Sequence, residues 1–115
     1  MALTTRELPR SEWQGYFDDF SRNLDTLVAT VEVAGREIGD QVEAEQLVLT
    51  GISYDHKDDI VVIGLDAKGG LTGELEHIVY NPQKIYLATG DGEPTVFDIA
   101  DAEGQQTLLR LEPSS

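Results

Sequence analysis

A single change of hydrophobic period, near residue 25, constrains the fold of this chain more than any other feature. Before it, Trp13, Phe17, Phe20 and Leu24 recur at spacings of four, three and four residues, which places them on one face of an α-helix. After it, apolar and polar residues alternate, as they do along half-buried β-strands. The pattern therefore predicts one N-terminal helix followed by a sheet.

The predicted helix covers about residues 11–24. Pro9 is a natural boundary just outside it, Ser11 can cap its first turn, and Glu12 lies where the helix dipole favours an anion. We expect its aromatic face to lie on an apolar surface as part of an ordinary core. Ligand stacking or partner binding by the same face is the alternative.

The remainder of the chain divides into about seven strand segments separated by short turns. No interval is long enough for the helix that a parallel crossover requires. Gly51 is the expected site of a bend or bulge in a long strand, and Ile60–Leu65, apolar on both faces, is expected to be a central or interface strand. We predict an α+β, mostly β fold, with the helix packed on a small antiparallel barrel or sandwich. The predicted strands are 27–33, 42–54, 60–65, 72–80, 84–89, 95–99 and 107–111.

Length and charge limit the classes of protein to which this chain can belong. Its 115 residues fit a single domain, 1–115, with residues 112–115 expected to fray. Its 22 acidic and 8 basic residues give a net charge of −14, which argues against most modes of binding to nucleic acids and anionic membranes, because both require a cationic surface. The charge indicates a solvated surface, a high-salt cytosol or a cationic partner. The absence of Cys and of a signal-peptide pattern favours a cytoplasmic protein without disulfides.

Searches for catalytic motifs do not produce an enzyme class. Ser53 lacks the final glycine of a nucleophile elbow, and the 90–95 segment lacks the third glycine of a dinucleotide loop and leads into a strand. We therefore expect no catalytic residue and no cofactor. His77 shares a strand phase with Leu75 and Val79 and is expected to point inward or into a pocket. A small-molecule pocket between helix and barrel is the alternative function, and its candidate lining residues are Trp13, Tyr54, His77 and Tyr80.

The acidic segment 55–59 is a weak candidate for a divalent cation site. As a calcium loop it fails, because Ile60 stands where glycine is required and Asp66 where glutamate is required. A solvated turn is the main interpretation, and weak divalent-cation binding is a further alternative. The candidate ligands are Asp55, His56, Asp58 and Asp59.

Several short blocks are spread over nearly the whole chain. They are Arg6–Arg10, Glu12-Trp13, Phe17-Asp18, Phe20–Arg22, Leu47, Leu49, Gly51-Ile52, His77, Val79, Pro82, Gly104 and Thr107–Arg110. Together these blocks resemble a bacterial family catalogued as a domain of unknown function, family 5335. Leu111 stands where that family leads us to expect Phe, a difference that affects packing only. The resemblance implies no activity, cofactor or catalytic residue.

A vaguer similarity is to Sm-like small barrels, which also have an N-terminal helix before a bent-strand barrel with recurring Gly and Asp, as in 49–55. Two extra strands and the acidic charge argue against this similarity and against RNA binding. Taken together, the sequence favours a non-enzymatic interaction domain with a protein partner or with copies of itself.

Overall fold

The computed structural model describes residues 4–24, 26–35, 39–66, 74–90, 92 and 94–113. Within these ranges it contains one helix and eight strands. All strand pairs are antiparallel. In chain order the elements are β1 (Thr4–Leu8), α1 (Arg10–Arg22), β2 (Leu27–Gly35), β3 (Gly39–Asp55), β4 (Ile60–Asp66), β5 (Glu74–Tyr80), β6 (Pro82–Thr89), β7 (Thr95–Asp101) and β8 (Gln106–Pro113).

Helix α1 confirms the predicted helix with shifted ends. It begins at Arg10, with Pro9 as N-cap and no side-chain cap, so the expected capping role of Ser11 is wrong. The backbone N–H of Glu12 donates instead to the carbonyl of Pro9 at 2.8 Å. Leu24 lies beyond the helix end but still packs against the core. No helix in the described ranges is long and apolar enough to cross a membrane.

The strands form one sheet in the order β1-β6-β7-β8-β2-β3-β4-β5. The two end strands, β1 and β5, are not paired with each other, so the sheet is not closed into a barrel. This corrects the predicted barrel or sandwich of about seven strands and the similarity to Sm-like small barrels. The unpredicted strand is β1, four of whose five residues are exposed, so that no apolar alternation marked it.

The sheet curls around a core to which every strand contributes. Eight flat strands at about 4.8 Å spacing would make a sheet roughly 34 Å wide and about 10 Å thick, whereas the Cα extents are 35 × 32 × 29 Å. Helix α1 adds Trp13 and Phe17 to the enclosed face. The other buried apolar residues are Leu8, Ala29, Val31, Val33, Leu49, Ile52, Tyr54, Val61, Ile63, Leu65, Val79, Ile85, Leu87, Phe97, Ile99, Leu109 and Leu111.

Strand β3 explains how the helix joins the sheet. Its first part pairs with β2 as far as Val48 and its second part pairs with β4. A register shift between Leu49 and Gly51 confirms the predicted bulge. Beyond Val48, α1 lies where β2 would otherwise continue: the Ser21 hydroxyl donates to the Ile52 carbonyl at 2.7 Å and accepts from its N–H at 3.0 Å. One serine therefore satisfies backbone groups that a strand would have paired.

Two further expectations concern β4 and the C-terminus. Strand β4 is paired on both sides, by β3 and by β5, which confirms it as a central strand. Strand β8 continues to Pro113, and Glu112 and Pro113 pair with Val28 and Leu27. These two residues belong to the tail that is expected to fray, and they are paired because β2 begins early enough to reach them. Residues 114 and 115 lie outside the described ranges.

Candidate functional site

Three side chains meet where α1 begins, and we call them the Arg10 cluster: Arg10, Tyr54 near the end of β3, and Asp59 in the β3–β4 turn. The Tyr54 hydroxyl donates to Asp59 Oδ1 at 2.6 Å and accepts from Arg10 Nη1 at 3.2 Å. Arg10 Nη1 also lies 3.3 Å from Asp59 Oδ1, and its Nη2 donates to the Pro82 carbonyl at 3.0 Å. One guanidinium therefore joins the helix to two connections of the sheet.

Trp13 supports this cluster from the core. The Arg10 guanidinium carbon lies 4.4 Å from the Trp13 ring centroid, within cation–π range. The Tyr54 ring meets Trp13 edge to face, with centroids 5.1 Å apart. The Trp13 indole N–H donates to the Leu8 carbonyl at 2.8 Å. Trp13 and Tyr54, two of the predicted lining residues, thus contact each other, and both are buried.

Two residues with left-handed backbone link the turns around the cluster. Asp59 and Asn81 have φ values of 54° and 53°, a region in which short polar side chains are enriched. The Asn81 N–H donates to the Asp59 carbonyl at 2.9 Å, and the Asn81 carbonyl accepts from the Ala102 N–H at 3.0 Å. The β3–β4 turn, the β5–β6 junction and the β7–β8 turn are therefore hydrogen-bonded to one another.

The pKa values of Asp59 and Tyr54 shift in opposite directions, each away from neutral pH. The hydrogen bond from Tyr54 is the main cause that lowers the pKa of Asp59, with help from Asn81 and Arg10. Burial, followed by the hydrogen bond and charge of Asp59, raises the pKa of Tyr54. A general acid or base works best with a pKa near the operating pH. The cluster is therefore suited to holding the helix on the sheet and poorly suited to proton transfer.

The four candidate metal ligands do not converge. Asp55 Oδ1 accepts from the backbone N–H groups of Lys57 and Asp58 at 2.9 and 3.4 Å, an arrangement typical of an Asx turn. Asp59 faces Tyr54 and Arg10, whereas His56 and Asp58 are exposed. In the part of the chain that the structure describes, no group of three His, Asp or Glu side chains is placed to hold a metal ion.

His77 and Tyr80 line a different region, an open groove of about 320 Å³ that we call the β5 groove. Trp13 and Tyr54 do not line it, so the structure does not bring the four predicted lining residues together. Buried apolar residues line part of the groove, and the β7–β8 turn adds acidic ones. Its lining comprises Val33, His77, Ile78, Val79, Tyr80, Asn81, Asp101, Glu103, Gln105 and Thr107.

Strand β5 has an open edge beside this groove. It pairs with β4 over seven residues without a register shift, and no described strand pairs with its other side. Backbone groups alternate between the two neighbours of an antiparallel strand. The Asn81 N–H donates to the Asp59 carbonyl on the β4 side, so the odd-numbered residues of β5 direct their backbone groups toward β4. The N–H and C=O groups of Glu76, Ile78 and Tyr80 therefore point to the open edge.

The same strand carries the exposed large apolar side chains of the described chain. Leu75 is 50% exposed and Tyr80 is 63% exposed. Ile60 and Val62 of β4 lie opposite Tyr80 and Ile78, and both are half-buried. An apolar surface therefore continues from β4 to the open edge.

A second open groove, about 410 Å³, lies between α1 and strands β3–β5. Most of its lining is polar and includes Ser21, Arg22 and Glu76. Ser21 is engaged by Ile52 and Arg22 pairs with Asp19. Two of its polar side chains thus already have partners within the chain.

Comparison with known proteins identifies the family. The model of DUF5335, a family of unknown function, matches residues 4–115. The chain belongs to the DUF5335 family. An uncharacterized protein of Aquifex aeolicus (strain VF5) is 38% identical over 112 residues, which cover 97% of this chain and 96% of that protein. No solved structure matches this DUF5335 chain.

Sequence reasoning missed three polar residues of this DUF5335 domain. Arg10 appeared only within a block that resembles the family, and Asn81 only as the position after the predicted strand 72–80. Asp98 lies between buried Phe97 and Ile99 on β7; one of its oxygens is buried without a hydrogen-bond partner, and burial raises its pKa. The available signal for Asp98 was an acidic residue between the apolar residues Phe97 and Ile99 of a predicted strand. No sequence signal was available for the hydrogen-bond partners of Arg10, which lie 44, 49 and 72 positions away.

Proposed function

We propose that this DUF5335 domain is a non-enzymatic protein-interaction module that binds an extended polypeptide segment by strand addition to β5. The observation that carries the proposal is the open edge of β5 together with its exposed Leu75 and Tyr80. In this mode of recognition, main-chain hydrogen bonds supply affinity and alternate side chains supply specificity.

The two ends of the sheet differ in how they discourage pairing. Natural edge strands are protected by short length, charges of either sign, proline or bulges. The end strand β1 is five residues long, contains Arg6 and Glu7, and is followed by Pro9. Strand β5 is seven residues long and has no proline, no bulge and no Lys or Arg, and its two acidic residues, Glu74 and Glu76, lie in its first three positions. This contrast supports β5 as the end that accepts a partner.

The apolar surface beside the edge supports the same conclusion. The cross-strand pairs Ile60–Tyr80 and Val62–Ile78 lie on one face, and an added strand would extend that face. Burying the exposed parts of these side chains would favour association through the hydrophobic effect. The hydrogen-bonding groups of the edge would meet their partners in the same step.

The test is selection of displayed random octapeptides on the wild-type domain, followed by binding measurements with two variants. Glu76→Pro removes one N–H at the open edge, a position where proline is tolerated in an edge strand, and Glu76→Ala removes the same side chain but keeps the N–H. We expect selected segments to bind the alanine variant at least tenfold more tightly than the proline variant, with both variants folded by circular dichroism. Equal binding to both variants, or failure to select any segment, would overturn the proposal.

A further inference from the structure

We infer that the segment added to β5 is basic: an extended segment in which Lys or Arg alternates with apolar residues, the basic side chains lying in the β5 groove. The inference rests on strand addition as the proposed function and specifies the chemistry of the partner. It follows from what lies on each side of the open edge.

On the groove side, the lining suits a long cationic side chain. Side chains of an added strand alternate between the two faces of the sheet, and every second one would lie beside His77 and Val79. Buried Val33 and Val79 offer apolar contact, and exposed Glu103 supplies a carboxylate to the same groove. Asp101 adds a second carboxylate, whose Oδ1 also accepts from the backbone N–H groups of Glu103 and Gln105. Lys and Arg combine an apolar stem with a charged head, so they match both parts of this lining.

On the other face of the sheet, the intervening side chains of the segment would meet Ile78 and Tyr80, which alternate with His77 and Val79 along β5 and also border the β5 groove. Tyr80 is exposed and Ile78 is half-buried, and their β4 partners Ile60 and Val62 are also apolar. Apolar residues at alternate positions of the segment would cover this surface. The expected ligand is therefore amphipathic with a period of two residues.

Charge decides between a basic partner and a second copy of this chain. Each copy carries −14, and Glu76, the exposed charged residue whose backbone groups point to the open edge of β5, is acidic. Two such copies repel each other, and like charges across a strand pair are unfavourable. The same field attracts a cationic segment and speeds its encounter.

The first experiment compares two labelled nonapeptides by fluorescence anisotropy, one of alternating lysine and valine and one of alternating glutamate and valine. In 50 mM NaCl we expect the lysine peptide to bind at least tenfold more tightly. Raising NaCl to 300 mM should weaken its binding several-fold, because salt screens the attraction. Equal affinities, or affinity that does not fall with salt, would overturn the inference.

A second measurement tests the groove with a matched pair of charge reversals. Glu103→Lys places a cation in the β5 groove, whereas Glu112→Lys makes the same change of net charge on β8, at an exposed position that does not line the groove. We expect the first variant to lose about tenfold in affinity for the lysine peptide and the second to lose no more than about threefold, since long-range effects are screened. Equal losses would show that only the overall charge attracts the peptide.

The outcomes separate the inference from the function on which it rests. If displayed octapeptides require the Glu76 N–H but are acidic or neutral, strand addition stands and the basic partner is wrong. If sedimentation shows a dimer that strengthens with salt and is lost in Glu76→Pro, the occupant is a second copy and the inference falls. If neither the lysine peptide nor the displayed peptides distinguish Glu76→Pro from Glu76→Ala, both proposals fall.

Discussion

Replacing Tyr54 by Phe tests whether the Arg10 cluster holds the helix on the sheet. The change removes one oxygen atom and leaves in place the ring that meets Trp13 edge to face. The lost hydroxyl donates to the Asp59 carboxylate at 2.6 Å and accepts from the Arg10 guanidinium at 3.2 Å. Both partners carry charge, so the loss is larger than for an ordinary hydrogen bond.

The size of the effect follows from how much water reaches the partners. A hydrogen bond to a charged group contributes about 1.5–3 kcal/mol when its partners are otherwise unsatisfied. Here the side chains of Arg10 and Asp59 are 51% and 33% exposed, so water replaces part of the lost interaction. The ion pair between Arg10 and Asp59 also remains in the variant. We therefore expect Tyr54→Phe to lower the free energy of unfolding by about 1–2 kcal/mol at pH 7.

The same substitution predicts a pH dependence with a definite sign. The pKa of Asp59 is lowered in the folded state, chiefly by the Tyr54 hydroxyl. A carboxyl of this kind contributes stability above its ordinary pKa of about 3.9 and loses it as the pH falls through the folded-state value. The wild type should thus lose more stability than Tyr54→Phe between pH 5 and pH 3, and the difference between them should shrink.

The assay is urea unfolding at pH 7 and pH 3, followed by circular dichroism and by the fluorescence of Trp13, the single tryptophan of the chain. Tyr80→Phe is the matched control, because its hydroxyl is on an exposed side chain; its effect should stay within about 0.5 kcal/mol. If Tyr54→Phe costs no more than Tyr80→Phe, or costs the same at both pH values, the assigned role of the cluster is wrong.

Two further predictions concern the core and the docking of the helix. Phe17→Ala, at a fully buried position, should lower the free energy of unfolding by about 3–5 kcal/mol. Asp58→Ala in the exposed turn should change it by no more than about 0.5 kcal/mol. Urea unfolding measures both effects, and the reverse order would mean that core and surface are misplaced. Ser21→Ala leaves the Ile52 N–H and C=O without their partner and should cost about 1–3 kcal/mol. The exposed Ser11→Ala is its control, and equal losses would show that the Ser21 contacts contribute nothing.

The strand pattern was predictable where each strand has one face in the core. In β2, Ala29, Val31 and Val33 are buried and alternate with half-buried Thr30 and Glu32, so the period of two is visible in the sequence. Strand β1 was not predictable in this way, because only Leu8 of its five residues is buried. Its strand conformation depends on pairing with β6, a contact between distant parts of the chain.

The candidate site was predictable only in part, and the reason is distance along the chain. Trp13 and Tyr54 were chosen as aromatic residues and do lie together. His77 and Tyr80 were grouped with them, but the curl of the sheet places this pair on the β5 groove instead. Periodicity assigns a residue to a face of its own element; it carries no information on which distant residues the curl brings to that face.

The sequence by itself determined the kind of elements and the net charge, because hydrophobic period is a local property and net charge is a sum over residues. Only the tertiary structure decided that the sheet stays open, that α1 lies beside β3, and that β5 is an end strand with exposed Leu75 and Tyr80. Strand order depends on pairings across the whole chain, such as β1 with β6 and β2 with β8. Such pairings follow from the collective packing of one core, which no local pattern encodes.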